Sequence, residues 1–238
     1  MALTVEGFIE QFRLDTDDPE LGGSDEDSLW SNDEIIRYVN LAQRAFAKES
    51  EVLLDRTTVV VTQYIVNALN SDVALNPLVI KIRRAKLLTT KRLIAIKTLE
   101  QVDSEFSSAC DYGSTQTGSA DWEDIVGTPE IGITNLEANV LRLVPIPALD
   151  DNLSLVVVRY PLVEILSDTD TLEIIDDKSQ LAMLDYMKYL GYQKHDADIH
   201  SNNIADNFLA NFKMKVNEVK HEFVRKHKPT GTVRYGGL

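Results

Sequence analysis

The apolar residues of this chain change their period twice, and no single motif constrains the fold as much. Behind Ser31, the residues Ile35, Val39, Ala42 and Phe46 recur in steps of four, three and four, which draws one stripe along a helix. At Arg56 the character shifts. TTVVVTQYIV is dense in β-branched residues, and in LVIKIRRAKL the side chains of Leu78, Ile80 and Ile82 alternate onto one face. Beyond Pro161 helical spacing returns in Leu181, Leu184, Met187 and Leu190, with Tyr186, Tyr189 and Tyr192 around them, as in a helix packed on several sides. A second stripe follows in Ile204, Phe208, Phe212, Val216, Val219 and Phe223. Helical ends around a β-rich middle predict that the ends pack on each other and the middle projects as an insert.

Local signals refine this order. Val5, Phe8, Ile9 and Phe12 give a short amphipathic helix over Thr4 to Arg13, and DTDDPELGGSDEDS behind it reads as an acidic loop. Ser31 and Glu34 have the spacing of a capping box, which opens a helix running to about Leu53. Strands are predicted over Gly132 to Thr134, Val140 to Val144 and Leu153 to Tyr160, punctuated by Pro145, Pro147 and the Asp150-Asp151-Asn152 turn. Glu100 to Ile131, containing CDYGSTQTGSADW, reads as irregular. Gly191 inside a helix costs about 1 kcal/mol relative to alanine, which predicts a close crossing there. The expected fold is therefore α+β: a helical bundle from the N- and C-terminal helices, an inserted small antiparallel β-domain, and an extended C-terminal tail. The expected boundaries are 1–55 and 162–226 for the bundle, 56–161 for the insert and 227–238 for the tail. Trp30, Ile35, Val39, Phe46, Leu184, Phe208 and Phe212 are the candidate bundle core.

Charge limits the partners. A net charge of −14 argues against general nucleic-acid binding, which needs surplus Lys and Arg to neutralise phosphates. The charge is also uneven: residues 1–34 hold eleven acids against Arg13 alone, whereas residues 213–238 hold seven Lys or Arg against Glu218 and Glu222. Such polarity suits head-to-tail or ring-like contacts between neighbours. No apolar run reaches the ~18 residues of a membrane span, and MALTVEGFIEQF lacks a basic region ahead of it, so a soluble protein made in a cytoplasm is expected. The single cysteine, Cys110, excludes an intramolecular disulfide and any cysteine-built metal site.

Chemistry-bearing motifs are missing from the sequence. It contains no phosphate-cradling glycine loop, no HExxH and no G-x-S-x-G elbow. His195 and His200 stand five apart, on different faces of a helix, which argues for a solvated pair over a shared zinc site. Asp15, Asp17 and Asp18 begin like a calcium loop, but Pro19 interrupts it. Asp168, Asp170, Glu173, Asp176 and Asp177 either converge on a cation or form a solvated acidic loop before a helix N-terminus, and the second is favoured. No catalytic residue, metal or cofactor is expected.

The residues LWSNDEIIRYVNLAQRAFAKE (29–49) resemble the signature of tailed-phage head-to-tail adaptor proteins, with Leu29, Trp30 and Ser31 opening a helix that carries Tyr38, Val39, Asn40 and Ala42. VIKIRRAKL (79–87) is similar to the family's Ile- and Arg-rich strand. Asp121-Trp122, Gly127-Thr128-Pro129, Leu141-Arg142-Leu143, Pro145-Ile146-Pro147 and Val158-Arg159-Tyr160-Pro161 follow in the family's order. LEII (172–175) and LAMLDYMKYLGYQKHDAD (181–198) resemble its aromatic-rich helix. The resemblance spans roughly residues 3 to 226; the long N-terminal acidic loop and Gly191 depart from it.

The resemblance implies a structural virion protein at the head–tail junction, a ring of commonly twelve copies beneath the portal that prolongs the DNA channel. It implies a portal protein on one side, a downstream tail or nozzle protein on the other, and DNA passing through without sequence-specific binding. In such adaptors a helical bundle forms the ring wall and the C-terminal segment grips the portal. Here that docking segment comprises Arg225, Lys226, Lys228, Thr230, Val233, Arg234 and Tyr235. The alternative is a nucleic-acid-binding or other interaction module that uses the basic C-terminal stretch, including Lys213, Lys215 and Lys220.

Overall fold

The structure, a computed structural model, describes residues 4–18, 28–110, 122–194 and 202–227. In chain order its elements are α1 (Val5–Asp15), α2 (Asn32–Ser50), β1 (Leu54–Asp55), α3 (Val59–Thr62), β2 (Gln63–Val66), β3 (Asp72–Ala74), β4 (Val79–Leu87) and β5 (Leu93–Lys97). These are followed by α4 (Leu99–Cys110), β6 (Val126–Gly127), β7 (Ile131–Ile133), β8 (Val140–Val144), β9 (Ile146–Pro147), β10 (Asp151–Arg159), α5 (Asp177–Tyr192) and α6 (Asn202–His227). The chain divides into two compact units, one of residues 1–52 with 161–238 and one of residues 53–160.

The expected helical bundle with a small antiparallel insert is corrected. The β part is a large curled sheet of eight strands, a half-barrel, in the order β1-β10-β4-β5-β7-β8-β3 with β2 also on β10. It is mixed, because β5 and β7 run parallel, and β6 pairs with β9 in a second small parallel sheet. Two helices, α3 and α4, belong to the same stretch of chain. Parallel pairing needs a long crossover, and the segment read as irregular supplies it: α4 and the residues after it lead from β5 to β7.

In the first unit the helices are set by their caps and one shared core. Thr4 Oγ1 accepts the Gly7 amide at 3.1 Å, and Ser31 Oγ accepts the Glu34 amide at 3.2 Å. Glu34 does not complete the capping box; its carboxylate instead accepts the Tyr38 hydroxyl at 2.8 Å and the Lys194 ammonium at 2.9 Å. α2 stops at Ser50, ahead of the expected Leu53, because Glu51 turns left-handed (φ 54°) and donates its amide to Ala47 O. Phe12, Trp30, Val39, Phe46, Met187 and Phe212 lie at the centre of the core. Phe12 meets Trp30 edge to face, centroids 5.2 Å apart at 82°. A Cβ on Gly191 would stand 2.9 Å from Phe12 Cζ, so the glycine lets that ring lie against α5.

One arginine ties together the described residues on either side of the acidic stretch behind α1. Arg13 donates to Asp18 at 3.3 Å, to Trp30 O at 3.0 Å and to Asn32 Oδ1 at 2.8 Å, and Asp18 accepts the Leu29 amide at 2.9 Å. Asp15 pairs with Lys188. Asp15 and Asp18 thus hold the chain's own groups.

The second unit is built on β10, whose alternate residues Leu153, Leu155 and Val157 are buried. Its partner β4 carries a β-bulge: Ile82 faces Val157 and Arg84 faces Val156, so Arg83 is the extra residue. Asp151, at the start of β10, accepts the amides of Thr89 at 2.8 Å, Thr90 at 3.2 Å and Asn152 at 2.6 Å, which pins the β4–β5 connection to this strand. Burial pushes its carboxyl upward, but the Thr89, Thr90 and Asn152 donors outweigh that and hold it down at about 2. A depressed folded value contributes stability above the ordinary carboxylate range, and that contribution is lost as pH falls through the folded value. Urea midpoints read from Trp122 in a Trp30→Phe chain should therefore hold from pH 7 to about 5 and drop steadily below about 4. An unchanged midpoint down to pH ~2 contradicts this.

Candidate functional site

The C-terminal half of the first unit carries the residues singled out for docking. In α6, Ala205, Phe212 and Val216 are buried and Leu209 and Val219 half-buried, a 3.6-period stripe that lays one face of the helix on the core. Tyr186 packs on Phe212 at 4.8 Å between centroids, and Tyr192 stacks on Phe208 at 5.6 Å and 15°. Trp30, Ile35, Val39, Phe46, Leu184 and Phe212 are all within the core cluster. Phe208 is half-buried and lies beside it, its ring 5.3 Å from the Lys188 ammonium.

The cations of α6 divide into two groups. Lys215 pairs with the buried Asp185 at 2.6 Å, and Lys220 reaches Glu49 O at 3.3 Å. Both hold the helix to its neighbours. Near the end of the helix, Glu222 bridges Lys178 at 2.7 Å and Lys226 at 3.1 Å. The Lys178 and then the Lys226 ammonium lower the Glu222 carboxyl, and Glu222 in turn raises Lys178. Lys178, Glu218, His221, Glu222 and Arg225 line an open cleft beside the α5 N-terminus. Arg225 and Lys226 are exposed in the last turn, where positive charge is favoured by the helix dipole. Lys228, Thr230, Val233, Arg234 and Tyr235 lie outside the described residues, as do His195 and His200.

Mixed pairs of this kind do not make a phosphate-binding stripe, which weighs against the nucleic-acid reading of α6. Three acids of the run before α5 are likewise committed to backbone. Asp170 accepts the Leu166 and Ser167 amides at 2.8 and 3.0 Å, Glu173 accepts the Leu162 amide, and Asp176 caps α5 through Ser179. Among the described residues no group of three or more His, Cys, Asp or Glu side chains is placed to hold a metal ion. None of the described helices is long and apolar enough to cross a membrane. A pocket of about 90 Å³ lined by Val66, Leu87, Pro147 and Asp151 is well below the ~300 Å³ of a typical small-molecule site.

The arrangement thus offers surfaces and charged helix ends. Comparison with known proteins decides what kind of surface protein it is: a family model described as SU10 adaptor protein matches residues 3–234. The chain belongs to the SU10 adaptor family. No curated protein matches it. As an SU10 adaptor it is a phage structural protein of the head–tail junction, a family of interaction partners within the virion and not one known for enzymes. One candidate surface of this adaptor escapes motif reading: the β4–β5 region, where residues 73–99 contain seven Lys or Arg and no Asp or Glu. Its signal is a local charge run, masked by the acidic balance of the whole chain and by the alternation that marks the segment simply as strand.

Proposed function

We propose that this adaptor forms a ring beneath the portal, prolongs the DNA channel toward the tail and provides the tail's attachment site. The family match over residues 3–234 carries the reading, since it embraces almost the whole chain and not one borrowed module. The partners in this reading are the portal protein, a downstream tail or nozzle protein, and further copies of the chain in a ring of twelve. Packaged DNA passes through without sequence-specific contact. The net charge of −14 supports free passage, because carboxylates along a channel repel phosphates.

Portal docking is assigned to the C-terminal segment. Arg225 and Lys226 stand exposed at the end of α6, and Lys228, Thr230, Val233, Arg234 and Tyr235 follow in sequence. HKPTGTVRYGGL has no apolar face of its own to bury, yet Thr230, Val233 and Tyr235 suit a strand added to a partner's sheet edge. The test is size-exclusion chromatography with light scattering on the chain mixed with the portal protein of its own virion, full-length and cut after Lys226. A ring-sized complex formed by the full chain and lost on truncation is expected. Equal complexes would remove the docking role from the segment, and no complex with either would remove the portal position.

A further inference from the structure

Two described surfaces of this chain carry opposite charge, and each adds exposed apolar side chains to it. The first is the outward face of the β4–β5 hairpin. Cross-strand partners share a face, and the register aligns Leu93 with Lys86 and Lys86 with Ser154, while Arg84 lies opposite Val156. Ala85 and Leu87, on the other side of β4, are buried. The bulge at Arg83 leaves Arg83 and Arg84 both exposed, where regular alternation would have turned one of them inward. Lys91 is exposed at the hairpin tip. Arg92 and Lys97 are occupied by Glu130 and Glu105, so the exposed charge centres on Arg84 and Lys91, with Lys86 half-buried two residues along from Arg84. Leu93 is 56% exposed on the same face and Ile65 of β2 is 72% exposed.

The second surface is the segment from Pro161 to Asp177. It holds six acids and no Lys or Arg. Asp170 and Glu173 fold the segment on itself, which leaves Glu164, Asp168, Asp176 and Asp177 exposed. Val163, Leu166 and Ile175 are 69%, 81% and 70% exposed among them. Large apolar side chains rimmed by charge mark a protein contact more than a solvated loop.

We propose that the acidic 161–177 segment of one copy docks on the outward β4–β5 face of a second copy. The occupant follows from complementarity. The basic face needs an anionic partner, its exposed leucine and isoleucine ask for an apolar one, and the chain itself supplies a segment with both properties. DNA offers only the charge, and a chain of net charge −14 repels it at long range. Because the two surfaces differ, the contact is heterologous and propagates head to tail, closing into a ring where the rotation allows. The inference rests on the adaptor reading and supplies the contact between its copies.

The test is zero-length carbodiimide cross-linking of an equal mixture of ¹⁴N- and ¹⁵N-labelled full-length chain, concentrated alone and bound to the portal protein. Mixed-isotope links from Lys86 or Lys91 to Glu164, Asp168, Asp176 or Asp177 are expected. Arg84→Glu with Lys91→Glu, or Glu164→Lys with Asp168→Lys, should each weaken self-association about tenfold at low salt, and the chain carrying both pairs should recover it. Links within one isotope only, or no recovery in the combined chain, overturn the contact. So does salt-sensitive binding of a short DNA duplex that Arg84→Glu with Lys91→Glu abolishes. A chain that binds the portal without these links keeps its adaptor role and loses this interface; a chain that does not bind the portal loses both.

Discussion

Replacing Asp55 by alanine is expected to cost the second unit about 3–5 kcal/mol, the range for breaking one partner out of a buried ion pair. Asp55 is 6% exposed and Arg159 is 9% exposed, and the Asp55 carboxylate accepts Arg159 Nε at 2.6 Å. The same carboxylate takes the amides of Thr57 at 2.9 Å and Thr58 at 3.0 Å. Burial alone would raise its carboxyl, yet the Thr58, Thr57 and Arg159 donors together hold it well below the usual range. The pair stands where the chain enters and leaves the unit, and next to it the Arg159 amide donates to Leu53 O at 3.1 Å. Alanine at 55 removes the acceptor of Arg159 Nε and of two amides at that junction, while Arg159 Nη1 still donates to Tyr160 O at 3.0 Å. Urea unfolding followed by Trp122 in a Trp30→Phe chain reads the loss directly. Adding Arg159→Met should return part of it, because a methionine there no longer needs the carboxylate that faced Nε. A loss below about 1 kcal/mol would mean that the pair is solvated and contributes as a surface bridge does.

Phe12→Ala should have a comparable effect on the first unit, about 3–5 kcal/mol. The ring is fully buried, meets Trp30 edge to face, and lies 6.2 Å from the Tyr38 ring. It also occupies the space that Gly191 leaves open. Removing it creates a cavity among side chains from α1, α2 and α5, which cannot all close on it at once. Against a typical total stability of about 5–15 kcal/mol, this is a large share of what keeps the unit folded. Trp30 emission in a Trp122→Phe chain reports it without interference from the other unit. An unshifted midpoint would show that the core collapses freely around the missing ring.

These two positions also differ in how legible they are. Phe12 belongs to a 3.6-period stripe, and the spacing of its apolar neighbours is enough to mark it as a core residue of a helix. Asp55 and Arg159 are separated by 104 positions, and no local pattern connects them. Val59 to Thr62 make the same point from the other side. Their β-branched run predicts a strand, yet they form a turn of helix with Val59 and Val60 exposed. Here the turn that the Asp55 carboxylate holds through the Thr57 and Thr58 amides overrides a weak intrinsic preference.

The sequence by itself determined the helices of the first unit, the cap at Ser31, the apolar stripe of α6 and the membership signalled along residues 29–198. The helical features rest on contacts between residues three or four apart, so the order of residues is enough to read them. The tertiary structure alone decided that the middle of the chain is a half-barrel and not a small antiparallel insert. It decided the parallel pairing of β5 with β7 and the bulge that exposes Arg83 and Arg84. A strand's partner, direction and register are fixed by hydrogen bonds to distant segments, and the local alternation of a strand is the same whichever neighbour it takes.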